Sequence, residues 1–193
     1  MTTTASNLQA TDLTTMSSEE LIVLFRILEC PTMAEMTGEF SGTPLRQPNL
    51  SRTALALLKV RNPFYLWRTK GFRQIDENSG RGYNVHHWTL TGKLVYRDPM
   101  TTQIAPARID HKPAFQLDYR TFKGTNGLVN LVDDVRRVRP GLYLGFGMLG
   151  FTYAQQRVMQ PFMLEGTDRP YAGDVGAMID GGVQSWAQRK GRE

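Results

Sequence analysis

The chain of 193 residues is 40% hydrophobic and 10% aromatic, enough apolar matter for one compact domain whose core needs no metal or disulfide staple. Its 23 basic and 18 acidic residues leave a formal charge of +5 and a pI near 9.5, a balance that excludes collagen, a coiled coil and wholesale disorder. No apolar run approaches the roughly 18 residues of a membrane-spanning helix. Cys30 is the single cysteine, so an intrachain disulfide is excluded. Met1 to Thr15 carries neither the basic residues nor the long apolar segment of a secretory signal, and a reducing cytoplasm is the compartment expected.

In chain order, residues 1–16 form a Thr-, Ser- and Asn-rich lead expected to be loose, followed by a single domain over 17–193. Ser17-Ser18-Glu19-Glu20 reads as a capping box. Leu21, Leu24, Phe25 and Leu28 then fall on one helical face, a helix to lie against a sheet, and Pro31 stops it. Glu35 to Thr43 reads as a first strand, and Ser51 to Lys59 as a second short helix closed by Asn62-Pro63. Aromatic and β-branched runs then recur between turn residues, which predicts strands near 70–76, 82–89, 93–97, 102–109, 114–122, 128–137, 142–149 and 160–165. Connections this short cannot hold parallel crossovers, so neighbours must be antiparallel. A long meander hides its edges by closing, which gives a mainly β, up-and-down barrel of about eight or nine strands. Asp174 to Trp186 reads as a C-terminal helix weakened by Gly181-Gly182.

The chemistry is most legible in Leu128 to Leu149. Asn130, Val132, Asp134 and Arg136 share one strand face; on the return strand Leu142, Leu144, Phe146 and Met148 make a wholly apolar face opposite Tyr143, Gly145 and Gly147. Asp134 and Arg136 read as a charge pair at a pocket wall, or as a surface ion pair. The two glycines leave room for a closely packed helix or for a ligand. Adjacent His86 and His87 face opposite ways, so at most one serves an interior site, and a structural histidine is the ordinary alternative. Tyr119 could offer its phenol to a carbonyl oxygen or sit in the core with its hydroxyl at the rim. No His-x-His or Cys-x-x-Cys spacing supports a metal, and neither a Gly-x-Ser-x-Gly elbow nor a phosphate loop is present. Gly145-x-Gly147-x-x-Gly150 lacks the βαβ context of a dinucleotide site. Seven basic residues from Arg52 to Arg81, interleaved with Phe64, Tyr65, Trp67 and Phe72, could form a single-strand stacking platform or a solvated basic face.

Gly38-Glu39-Phe40-Ser41-Gly42, following the N-terminal helix, resembles the Gly-x-Trp-x-Gly signature of uncharacterised, lipocalin-like bacterial proteins, with Phe40 in the tryptophan's place. Trp67 with Lys70-Gly71-Phe72, then Val85-His86, is similar to their next segments. Asp133-Asp134-Val135-Arg136 before Gly141-Leu142-Tyr143-Leu144-Gly145 resembles their late hairpin, and Phe162-Met163-Leu164-Glu165 the strand after it. The resemblance spans most of residues 35–165 and implies a closed barrel with a central cavity.

The function expected is binding of a small, largely apolar molecule in that cavity. His87, Tyr119, Asp134, Arg136 and Tyr143 are the polar wall expected, with Trp88 and Phe146 as apolar neighbours. The alternative is a cofactor-independent isomerase, cyclase or hydratase acting on a hydrophobic carbonyl compound. There Tyr119 or Arg136 would polarise an oxygen while His87 or Asp134 moves a proton. A second alternative is a single-stranded nucleic-acid module with a groove through Arg68, Lys70 and Arg73. No cofactor, metal or membrane partner is expected, and a homodimer is left open.

Overall fold

The computed structural model describes residues 7–47, 61–62, 65–128, 130–149, 158–176 and 178. Two short helices open the chain. α1 (Ala10–Thr15) lies within the stretch expected to be loose, where it is tied down by Leu13, which is fully buried. α2 (Ser18–Ile27) begins at the expected capping box: the Ser17 hydroxyl accepts from the Glu20 amide while the Glu20 carboxylate accepts from the Ser17 amide.

Nine strands follow: β1 (Gly38–Pro44), β2 (Arg61–Asn62), β3 (Tyr65–Gln74), β4 (Ser79–Trp88), β5 (Lys93–Pro106), β6 (Pro113–Asp118), β7 (Val132–Arg139), β8 (Leu142–Met148) and β9 (Met159–Gly166). All pairings are antiparallel, in the order β1-β9-β8-β7-β6-β5-β4-β3-β2, and β1 also pairs with β3. That last pairing closes eight strands into a barrel and leaves the two-residue β2 as an extension of β3.

The separate strands expected at 93–97 and 102–109 are one long β5. Asp98-Pro99 is a bulge in it rather than a turn: the β4–β5 register shifts between Gly82 and Asn84, and Asp98 takes a left-handed φ of 54°. A bulge tolerates a proline because the extra residue is outside the hydrogen-bond ladder. The strand expected over 114–122 ends at Asp118 and passes into a 3-10 turn, Tyr119–Thr121. The expected 51–59 helix lies outside the described residues. Of the expected C-terminal helix, Asp174 to Gly176 are not helical and Met178 bridges to Phe122, while 179–193 lie outside the described residues.

Two apolar clusters divide the structure. Inside the barrel, Phe40, Phe72, Met100, Phe115, Leu117, Tyr143, Phe162 and Leu164 pack together, with Met33 and Met36 closing the end at which the chain enters β1. Outside it, Leu13, Leu21, Leu24 and Phe25 of the helices cover Leu142, Leu144 and Phe146 of β8. β8 is therefore buried on both faces along its whole length. A strap after β9 covers another part of the outside: Tyr171 stacks on Tyr83, whose hydroxyl donates to Glu39, and Asp174 holds Arg73 and Arg81.

Candidate functional site

Strand alternation fixes which side chains enter the barrel. On β3 the inward set includes Lys70 and Phe72, and Trp67 joins them through a register shift between Trp67 and Thr69. On β4 it is Asn84, His86 and Trp88. On β7 it is Asp133 and Val135, not Asp134 and Arg136. The β5 bulge sends Asp98 to the same interior, where its carboxylate meets His86. Six polar side chains thus converge from β3, β4, β5, β7 and the turn after β6: Lys70, Asn84, His86, Asp98, Tyr119 and Asp133.

Lys70 is the hub and is almost wholly buried. Its ammonium lies 3.0 Å from Asp133 Oδ2, donates to Asn84 Oδ1 at 3.0 Å and also donates to the Tyr119 hydroxyl. Three rings surround it, with centroids 5.2 Å away for Trp67, 5.2 Å for Tyr119 and 5.5 Å for Phe162, a cation–π box. The glycines opposite make this possible. A Cβ on Gly42 would strike the Trp67 indole, and one on Gly145 would strike the Phe162 ring. The room expected at Gly145 for a helix or ligand is filled by Phe162.

Tyr119 is the weakly committed donor of the group. Its hydroxyl has acceptors in Asp133 Oδ2 at 3.3 Å and Asn84 Oδ1 at 3.4 Å, both at the long limit of a hydrogen bond. Burial first, then the Asp133 and Asp98 charges, hold the phenol pKa well above its ordinary value, so it keeps its proton at neutral pH. Across the site His86 Nε2 is 3.1 Å from Asp98 Oδ2. Burial of Asp98 opposes its ionisation, but the His86 hydrogen bond, Arg97 and Asn84 outweigh it and lower the carboxyl pKa. An ionised Asp98 accepts, so Nε2 carries a proton, and in the neutral imidazole the lone pair is then on Nδ1.

Of the residues expected at the site, Tyr119 and Tyr143 lie inside the barrel, Tyr143 against Phe40 in the aromatic core. Trp88 shares the inward face of β4 beyond His86 and is half-buried. His87 is on the outside, lining a cleft of about 420 Å³ with Ser41, Arg68, Thr69, Leu94, Thr167 and Arg169. Asp134, Arg136 and Phe146 are also outside, beneath the helices and the β5–β6 turn. Asp134 and Arg136 do not pair. Asp134 accepts from Gln116 Nε2 at 3.0 Å and the Arg108 amide at 2.7 Å, while burial raises its pKa. Arg136 makes a two-pronged pair with Asp110, both contacts at 2.7 Å, and its guanidinium stacks 4.5 Å from the Phe25 ring. Its remaining donors go to the carbonyls of Phe25, Pro113 and Lys112. It is a staple between helix, turn and barrel. The nucleic-acid groove expected through Arg68, Lys70 and Arg73 has no common face either, since Lys70 points inward and Arg73 is held by Asp174.

Lys70 was expected only in a nucleic-acid groove, and Asn84, His86, Asp98 and Asp133 were not among the residues expected to line the cavity. The signal for Lys70 was faint: on its strand parity Phe72 is flanked by Gln74 and Lys70 by Arg68, and Trp67 joins that face only through the register shift. Among the described residues no group of three or more His, Cys, Asp or Glu is placed to hold a metal, and no helix is long and apolar enough to cross a membrane.

No family model matches the chain, and no curated protein is similar to it. A crystal structure of a protein from Thermomonospora curvata is similar in fold, with a TM-score of 0.50 and 16% identity over 79% of this chain and 88% of that one. The likeness is one of fold alone.

Proposed function

We propose that the barrel is lipocalin-like in use as well as shape, and binds a small, largely apolar molecule through a carbonyl or carboxylate oxygen. The observation that carries this reading is the buried cluster around Lys70. An ion pair withdrawn from water does little for stability, and apolar replacement of such pairs is often neutral or stabilising by about 1–4 kcal/mol. A cation, a phenol and two carboxylates inside a barrel are better explained as ligand chemistry. Tyr119 offers its donor to an oxygen beside the Lys70 ammonium, whose charge favours that oxygen while its three N–H groups serve Asp133, Asn84 and the Tyr119 oxygen. Because the Tyr119 bonds to Asp133 and Asn84 are long, a carbonyl oxygen at about 2.8 Å would take its proton in preference. Trp67, Phe162 and Leu131 line the same neighbourhood and suit an apolar body.

Native mass spectrometry beside the denatured mass provides the first test: a retained small molecule that is released on unfolding is the expected result. Titration with decanoate and 2-decanone, followed by tryptophan fluorescence, should give a saturable change from Trp67. Tyr119→Phe should weaken 2-decanone about tenfold, the worth of one good hydrogen bond. Lys70→Met should weaken decanoate more than the ketone. A wild type with no adduct and no response to either probe would refute the reading.

A further inference from the structure

Among the described residues four buried side-chain atoms lack a hydrogen-bond partner, on Gln47, His86, Thr102 and Arg108, and of these His86 alone belongs to the polar cluster. His86 Nδ1 is inaccessible to solvent and has no hydrogen-bond partner among the described residues. A buried imidazole nitrogen of this kind calls for a reason. Its environment supplies one. The Asp98 carboxylate fixes the proton on Nε2, which leaves Nδ1 as a basic lone pair, the orientation an Asp–His dyad gives a general base.

Asn84 ties this base to the two oxygen-binding groups. Its Oδ1 accepts from Lys70, and its side chain helps to lower the carboxyl pKa of Asp98, the partner of His86. Asn84 and His86 are also two residues apart on the inward face of β4, so base and donors face the same interior. Among the described residues Asp98 faces His86 directly and Arg97 pairs with Asp98, while Lys70, Tyr119 and Asp133 bond one another around Asn84.

We propose that the barrel catalyses proton transfer at the carbon next to the carbonyl of its ligand, with His86 as base and Tyr119 and Lys70 as the oxyanion site. The substrate class is an apolar, enolisable ketone, including β,γ-unsaturated ketones. His86 Nδ1 takes the α-proton: the C–H bond breaks, an N–H bond forms, and the electron pair moves through the new C=C bond to the carbonyl oxygen. Tyr119 stabilises the resulting enolate by donating to that oxygen, and the Lys70 ammonium beside it does so by its positive charge. The imidazolium then returns a proton to carbon, at the α-position in simple exchange or at the γ-position in a β,γ-enone, and the carbonyl re-forms. Protons and electrons balance with no co-reactant. Asp98 touches no substrate and is a positioning residue, because it sets the tautomer of His86.

The inference rests on the binding reading, and the experiment separates the two. The full chain is given 2-tetralone, an apolar enolisable ketone, in deuterated buffer; binding is followed by tryptophan fluorescence and α-deuterium uptake by mass spectrometry. The expected result is exchange faster than buffer alone. His86→Gln should lower that exchange by about 10²- to 10⁴-fold with the dissociation constant changed less than threefold. Asp98→Asn should likewise lower the rate at saturation and leave affinity in place, which a merely structural role would not do. Tyr119→Phe should impair both. Wild-type binding with exchange no faster than in buffer, or exchange that survives His86→Gln, overturns the catalytic inference and leaves the binding reading standing. Failure of the wild type to bind 2-tetralone overturns this inference, and the binding reading is then judged on decanoate and 2-decanone.

Discussion

Arg136→Met should destabilise the fold heavily without touching the interior site. Arg136 is fully buried, and every donor it owns is spent: two on Asp110 and the others on the carbonyls of Phe25, Pro113 and Lys112. The Phe25 carbonyl lies near the C-terminus of α2, where a cation also meets the negative end of the helix. Methionine restores much of the packing against Phe25 but leaves Asp110 as a poorly solvated carboxylate and strands three acceptors. Removing one partner of a buried ion pair costs about 3–5 kcal/mol. For a chain of this size that corresponds to a fall in Tm of roughly 10 °C. Urea unfolding with an unchanged m-value would measure it. Because the pair is coupled, Arg136→Met/Asp110→Asn should lose at least about 1 kcal/mol less than the sum of the two single losses. A single-mutant loss below about 1 kcal/mol would show that Arg136 is not the staple described, as would strict additivity in the double mutant. Ligand affinity is the internal control, and it should be unchanged in whatever folded protein remains.

Two further outcomes follow from packing and charge. Gly145→Ala would place its Cβ 2.3 Å from the Phe162 ring, so it should cost about 1–3 kcal/mol by overpacking; Phe162→Leu in the same chain should recover part of that loss, and equal losses in both backgrounds would refute the contact. Asp174 is held by a hydrogen bond from Arg73 and by Tyr171 and Arg81, which together lower its carboxyl pKa to about 2 despite some burial. A lowered folded-state pKa means the strap's contribution is complete above the ordinary carboxyl value, near 3.8, and is lost as pH falls through about 2. The Asp174 side-chain carbon resonance should report that midpoint, and a midpoint near 3.8 would show that the arginines do not hold it.

The closed barrel was legible in the sequence because turn residues fall every few positions after residue 70, and short connections leave antiparallel neighbours as the one arrangement. The orientation of the strands was not. On β8 the wholly apolar face Leu142, Leu144, Phe146 and Met148 reads as the inside of a barrel, yet it faces outward because two helices cover it. The smaller set, Tyr143, Gly145 and Gly147, faces inward, where Gly145 makes room for the Phe162 ring. Alternation identifies the buried face of a strand with one wet side, and β7 and β8 have none to compare. The same reason misplaces the histidines. Tyr83 and Val85 make the parity of His87 the more apolar one on β4, but they are buried under the strap and across from β5 on the outside, so His86 is the one that enters.

Asp133 and Asp134 show how far that ambiguity reaches into chemistry. They are consecutive, identical and both buried, and a strand backbone alone separates their surroundings. Asp133 meets an ammonium inside an aromatic box, while Asp134 meets a carboxamide and a backbone amide under the helices, where burial raises its pKa. Arg136 can be assigned to the fold, since its bonds join barrel, turn and helix, and the outer carboxylate holds the Arg108 amide of the β5–β6 turn beside its cross-strand partner Gln116. The inner one cannot be assigned in that way, because Lys70, Tyr119 and Asn84 link strands that the ladder already joins through β4, β5, β6 and β7. Met33 and Met36 close the barrel at the end where β1 begins, and the polar group lies beyond Phe40, Phe72 and Phe115 from them. On the proposed binding reading, the ligand's oxygen would therefore approach Tyr119 from the Trp67 side of that aromatic layer.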